Sequence, residues 1–252
     1  MLREGAMSKL QGKVALVTGA GRGMGRVIAL RLAEEGASLV VNYAASREGA
    51  EAVVETIRKA GGRAVAYQAD ITRRAEVARM FEAIDREPGR LDIVVNSAGV
   101  SGVTALATLD DDQVAALFGI NMLAPLYVAA EASKRLGDGG RIVNLGSSLE
   151  EFPIAGASVY VAAKAAIKGF TEVWAKELGS KGVTVNTVIP GATAPGMMDT
   201  APERYREHYA KASPFGRIGR ADEIAAVVAF LCSPEASWVS GTHILANGAA
   251  TA

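Results

Sequence analysis

Tyr160 and Lys164 stand four residues apart inside residues 158–178, a stretch whose apolar positions recur at helical spacing. Residues four apart share a helix face, so an ammonium comes near a phenol. A phenol with a pKa of about 10 is a good donor and a poor base, and a neighbouring cation favours the phenolate. Such a pair can pass a proton to or from an oxygen atom as general acid or general base. A Tyr–Lys pair at this spacing is also common as a plain surface contact. Ser147 favours chemistry, because it lies just past the apolar run Arg141-Ile142-Val143-Asn144-Leu145, at a strand end where open α/β sheets place their ligands.

A second group of residues points to an anion. The run Lys13-Val14-Ala15-Leu16-Val17-Thr18 ends in Gly19, Gly21, Gly23 and Gly25, after which Val27, Ile28, Leu30, Leu32 and Ala33 keep helical spacing until Gly36. Glycines at a strand end let the backbone approach a pyrophosphate, and the helix that starts there aims free N–H groups at it. The spacing by twos is not a literal G-x-G-x-x-G, and a tight structural turn is the alternative for the cluster taken alone.

The elements that must position these residues follow in regular order. Strands are predicted at 13–18, 38–43, 63–69, 91–96, 141–145 and 183–189. Between them come helices at about 46–60, 72–86, 113–117, 122–136 and 158–178, with Gly61-Gly62 closing the first of these. Alternation of this kind implies right-handed crossovers and a parallel sheet covered on both faces, which explains why the strands are apolar runs. With no low-complexity linker, one domain over 10–252 is expected, preceded by a flexible leader over 1–9 in which Met7 is an alternative start. Residues 193–215, rich in Pro, Gly and Met, are expected to form a substrate lid, with Met197, Met198, Tyr205 and Tyr209 as candidate apolar contacts.

Composition narrows the partners. The 252 residues carry 27 Lys+Arg and 27 Asp+Glu, so no net charge calls for nucleic acid or an acidic membrane surface. Half the residues are hydrophobic, yet no run nears the roughly 18 uninterrupted apolar residues of a span, and the start lacks an apolar signal core. The single cysteine, Cys232, excludes an intrachain disulfide and any multi-cysteine metal site; a small buried hydrophobe in a reducing cytoplasm is expected. His208 and His243 are too isolated for a metal site or a Ser-His-Asp triad, so no metal is expected. Glu150 and Glu151 read as solvated loop charges, or as a field against anionic substrates.

Taken together, these motifs resemble the short-chain dehydrogenase/reductase family, over nearly the whole chain from about Leu10. Its T-G-x-x-x-G-x-G turn matches Thr18, Gly19, Gly23 and Gly25, and its N-N-A-G segment appears as Asn96-Ser97-Ala98-Gly99. Asp70 matches its acidic residue after the third strand, Asn121 its helix asparagine, Tyr160 and Lys164 its Y-x-x-x-K, and Pro190-Gly191 its P-G turn. The family serine stands 13 residues before the tyrosine, which selects Ser147 over Ser148.

The resemblance implies a Rossmann-type doubly wound α/β fold and hydride transfer between a nicotinamide dinucleotide and a ketone or secondary alcohol. It implies Tyr160 as general acid in reduction and base in oxidation, Ser147 on the substrate oxygen, Lys164 on the nicotinamide ribose, and Asn121 holding a water that links Lys164 to solvent. Cofactor contacts are expected from Gly19, Arg22, Gly23, Met24, Gly25, Asn42, Tyr43, Ser46, Asp70, Ile71, Asn96, Ala98, Gly99, Tyr160, Lys164, Pro190, Gly191 and Thr193. Asn42-Tyr43 at the end of the second strand offers no carboxylate to repel a 2′-phosphate, and Arg22, Ser46 and Arg47 could meet one, so NADP(H) is expected before NAD(H).

Two positions depart from the family pattern. Pro195 stands where a threonine often contacts the nicotinamide, leaving Thr193 as the substitute, and Leu245-Ala246-Asn247-Gly248 replaces V-D-G-G near an expected subunit interface. A ketone reductase similar to the oxoacyl-carrier-protein, polyketide or naphthol reductases, assembled as a homotetramer or dimer, is the first reading. An NAD-dependent alcohol, sugar or steroid dehydrogenase is the second, and a dinucleotide-sensing protein without turnover the third.

Overall fold

Apolar runs become strands buried on both faces. Val14–Val17 (β1) is buried at every position, with Ala15 and Val17 facing one helical layer and Val14 and Leu16 the other. The computed structural model describes residues 8–250. After β1 come α1 (Gly23–Glu34), β2 (Ser38–Tyr43), α2 (Arg47–Lys59), β3 (Ala64–Gln68), α3 (Arg74–Arg86) and β4 (Ile93–Asn96). Then follow α4 (Asp111–Phe118), α5 (Ala124–Ala132), β5 (Arg141–Leu145), α6 (Ser158–Leu178), β6 (Thr184–Pro190), β7 (Thr193–Ala194), α7 (Glu203–Ala212), β8 (Gly219–Arg220), α8 (Ala221–Cys232) and β9 (His243–Ala246). Residues 1–7 of the expected leader lie outside the described residues; Lys9 forms a 2.6 Å ion pair with Glu235.

Seven strands form one parallel sheet in the order β3-β2-β1-β4-β5-β6-β9, while β7 and β8 pair separately. Order reverses at β1, where Leu16 lies between Val40 of β2 and Val94 of β4. One core packs Ile28 and Leu32 of α1, Val53 and Ile57 of α2, and Val228 and Leu231 of α8 on the sheet; the other packs Met80 and Phe81 of α3, Val128 of α5 and Trp174 of α6. Asp92 ties the two central strands at their start, accepting from the Val14 amide at 2.8 Å. The α/β sheet with helices on both faces is thus as expected.

Three elements differ from the sequence reading. The helices around Asn121 are continuous through a π-helical turn, Gly119–Leu123, in which the Ala124 amide donates to Gly119. Pro125 carries no N–H, so the Asn121 carbonyl loses the donor that an unbroken α-helix would give it. The helix then ends at Ala132, short of the expected residue 136. Strand β9 went unpredicted because its four residues alternate only weakly in burial, as an edge strand does. The apolar segment before Cys232 forms α8, whose N-terminus is closed by Glu223 accepting from the Arg220 amide at 2.8 Å.

Candidate active site

The Gly19–Gly25, Ala98-Gly99, Ser147 and Pro190-Gly191 turns all fall on one side of the sheet, at the carboxyl ends of β1, β4, β5 and β6. The first turn is held by Thr18, whose hydroxyl accepts from the Ser97 amide at 3.0 Å and the Ala98 amide at 3.1 Å. It is packed so that only glycine fits: a Cβ on Gly19 would stand 2.9 Å from Ala98 Cα, and one on Gly25 2.7 Å from Gly19 O. Helix α1 starts there after Arg22, an exposed N-cap whose side chain makes no capping bond, so the first amides of the helix face outward unpaired by their cap. Backbone cradle and uncapped helix start together fit the diphosphate of a dinucleotide.

Further residues surround that cradle, some as braces. Asn42 accepts from the Gly19 amide at 3.4 Å and donates to Ala69 O at 3.1 Å, and its side chain is buried. Asn42 thus braces the turn from behind, and Tyr43 lies buried in the α1–α2 core. Ser46 is half-buried, its carbonyl 2.8 Å from where a Gly21 Cβ would stand. Arg47 is ion-paired with Glu51 at 2.8 Å, whereas Arg22 makes no ion pair among the described residues. The Asp70 carboxylate feels burial, which raises its pKa, but the Thr72 hydrogen bonds and Arg73 outweigh it and hold the group below its ordinary value. Ile71 is buried beside it, and Met24 is half-buried against the α1 core.

Asn96 lies beneath the Ala98-Gly99 turn and opens a buried polar chain. Its amide donates to Asn144 at 2.8 Å, Asn144 donates to Thr171 at 2.8 Å, and Thr171 meets Thr187 at 2.7 Å. This chain, which the sequence reading missed beyond Asn96, ties β4, β5, α6 and β6 together. Opposite, Pro190-Gly191 ends β6, with Thr193 buried and its hydroxyl donating to Gly191 O at 2.8 Å. The backbone at Gly196 comes to rest on the first turn, 3.3 Å from where a Gly23 Cβ would be.

Tyr160 and Lys164 lie on one face of α6, each only 5% exposed. Lys164 donates to Leu145 O at 2.9 Å; burial lowers its pKa to about 8, with Glu150 acting against that. Burial likewise raises the pKa of Tyr160, and a hydrogen bond with the Ser147 side chain opposes the rise. Ser147 leads out of β5 into a short turn, its hydroxyl accepting from the Leu149 amide at 3.3 Å.

Asn121 is held through its side chain. Its amide donates to Val100 O at 2.9 Å and Leu117 O at 3.0 Å and accepts from the Val100 amide at 3.2 Å. The side chain is consumed in holding the loop after Gly99, which leaves the main-chain carbonyl, stripped of its helical donor by Pro125, as the group able to hold a water.

The expected lid is ordered around α7, where Tyr209 is half-buried and close enough to raise the pKa of Tyr160, while Met197 and Tyr205 stay exposed. Glu150 departs from expectation: it is no solvated loop charge but a largely buried carboxylate, while Glu151 is ion-paired with Lys168. Cys232 is buried, with its thiol pushed up to about 12 by loss of solvent. Among the described residues, no group of three His, Cys, Asp or Glu is placed to hold a metal.

Residues 19–251 match a family profile described as enoyl-(acyl carrier protein) reductase. An uncharacterised oxidoreductase of Methylorubrum extorquens is 42% identical over 245 residues, covering 96% of this chain and 99% of its own. The crystal structure of a dehydrogenase/reductase from Sinorhizobium meliloti superposes with a TM-score of 0.94 at 39% identity, covering 98% of each chain. That of the angucycline C-6 ketoreductase LanV with bound NADP superposes with a TM-score of 0.91 at 36% identity, covering 96% of each. Agreement in profile, in length and in fold accords with the Ser147, Tyr160 and Lys164 arrangement, and the chain belongs to the short-chain dehydrogenase/reductase family.

Proposed function

We propose that this protein is an NADP(H)-dependent ketone reductase. The observation that carries the reading is the meeting of Ser147, Tyr160 and Lys164 at the end of β5, on the sheet edge that holds the Gly19–Gly25 turn. The nicotinamide, when bound, supplies hydride to the carbonyl carbon. Ser147 orients the carbonyl oxygen, and Tyr160 hands its phenolic proton to that oxygen as negative charge grows there. Lys164, fixed by Leu145, supplies positive charge nearby, and a water on the Asn121 carbonyl would return a proton from solvent.

Arg22 favours NADP(H), since its unpaired guanidinium stands at the turn where a 2′-phosphate would lie and no carboxylate replaces it; LanV, which is similar in fold, was crystallised with NADP. The exposed Val100, Val103, Leu106, Met197 and Tyr205 would give the cleft an apolar rim suited to an extended apolar ketone. We infer assembly with further copies, supported by the Asp111–Ala132 helix, which is apolar yet only partly buried by its own chain.

Mixing the protein with NADPH or NADH and α-tetralone, an aliphatic ketone or an enoyl thioester tests the reading. Faster oxidation of NADPH with the bicyclic ketone is expected. Tyr160→Phe should lower kcat by about 10² to 10⁴ while NADPH binding, followed by fluorescence, persists. Turnover by that variant above a few per cent of wild type, or consumption of only the enoyl thioester, overturns it. Light scattering should give a mass of two or four chains.

A further inference from the structure

Glu150 has no evident reason to be where it is. Its side chain folds back over Gly146, so that a Cβ on that glycine would stand 2.8 Å from Oε1, 3.1 Å from Thr187 and 3.2 Å from Ile189. Both carboxylate oxygens are buried and neither meets a partner in good hydrogen-bond geometry among the described residues; the Ser147 amide comes near enough only to offset part of the burial. An unpaired buried carboxylate is costly, and a neutral side chain of similar size would fill the same space at lower cost. Perturbed, unsatisfied acids of this kind gather where charge is used.

The surroundings show what the charge acts on. Helix α6 presents Tyr160, Lys164 and Lys168 to Glu150, its own loop presents Glu151, and β6 presents only the non-titrating Thr187 and Ile189. Glu172 acts one turn farther along α6 on Lys168, and Tyr209 of α7 acts on Tyr160. Resting on the proton-transfer role proposed above for Tyr160, we propose that Glu150 is a positioning residue: its carboxylate, folded over Gly146, holds the proton on Tyr160 and the charge on Lys164, and so sets the pH range in which the pair works.

The signs agree. Ionised Glu150 raises the proton affinity of both groups. Burial pushes Glu150 itself up to about 7, with Lys168 and Lys164 pulling the other way, so its influence is switched on above that pH. Above that pH the charge adds to burial in holding Tyr160 as a phenol, the form needed to protonate a ketone oxygen.

Oxidation of α-tetralol by NADP⁺, followed from pH 6 to pH 10, tests this. In Glu150→Gln the rising limb, where Tyr160 becomes phenolate, should move to lower pH by about half a unit or more, roughly a threefold rate gain on the limb. Glu150→Met should give the same shift, which a purely structural role would not. Limbs coincident with wild type in folded variants, or failure of both variants to fold, overturn the proposal. Tyr160→Phe serves as the separate control: its inactivity beside unshifted Glu150 variants rejects only the part assigned to Glu150, whereas full activity rejects the proton-transfer reading itself.

Discussion

Lys164 Nζ donates to the Leu145 carbonyl at 2.9 Å, linking α6 to the last residue of β5 two positions before Ser147. With the Asn144–Thr171 bond, this contact sets the distance between the helix that carries the phenol and the strand that leads into the serine. Replacing Lys164 with Met keeps the stem but removes the donor and the charge. We expect kcat to fall by about 10² to 10⁴, with Tm lowered as well, measured by steady-state kinetics and calorimetry.

Gly99 packs closely against both Asn121 and Lys164. A Cβ there would stand 2.8 Å from Asn121 Oδ1 and 3.4 Å from Lys164 Nζ. Gly99→Ala must displace the Asn121 amide, so it should cost about 1 to 3 kcal/mol in urea unfolding and lower kcat more than it raises KM. A variant with wild-type kcat would show that the amide does not fix the site.

The polar chain through Thr171 should be sensitive out of proportion to its size. Thr171→Val conserves volume but leaves the Asn144 amide and the Thr187 hydroxyl without partners in a dry interior. A loss of about 1 to 3 kcal/mol is expected in denaturant unfolding. Thr171→Val combined with Thr187→Val should recover part of it, because the hydroxyl left unpaired by the first change is removed by the second.

Stability should carry the mark of Glu150. Its folded-state pKa, about 7, lies above its ordinary value of 4.5, so the protonated form is the one that the fold favours. Its contribution is full below about pH 4.5, declines as pH rises, and is gone once pH passes about 7. The Tm of wild type minus that of Glu150→Gln should accordingly fall by on the order of 5 °C between pH 5 and pH 8. A difference independent of pH would mean that the carboxylate is solvated.

Legibility in the sequence depended on how each residue does its work. Gly19, Gly23, Gly25, Tyr160 and Lys164 were readable because strand ends and helix spacing place them without help from distant chain. The π-helical turn at Asn121 was not, although Pro125 four residues on was a visible signal that the helix could not close normally there. Asn42 and Tyr43 are buried because β2 is covered on both sides, which position along the strand alone does not tell. Glu150 was read as a loop charge since nothing nearby in sequence foretells that β6 and α6 close over it. Thr171 is one helical turn among several, and only the register of β5 against β6 brings it between Asn144 and Thr187.

The meeting of Gly196 with Gly23 has a steric corollary. Main chain faces main chain there with no side chain between, so a methyl group on Gly23 has the other backbone in its way. Gly23→Ala should therefore weaken NADPH binding by prising the two segments apart, while leaving the polar chain through Thr171 intact.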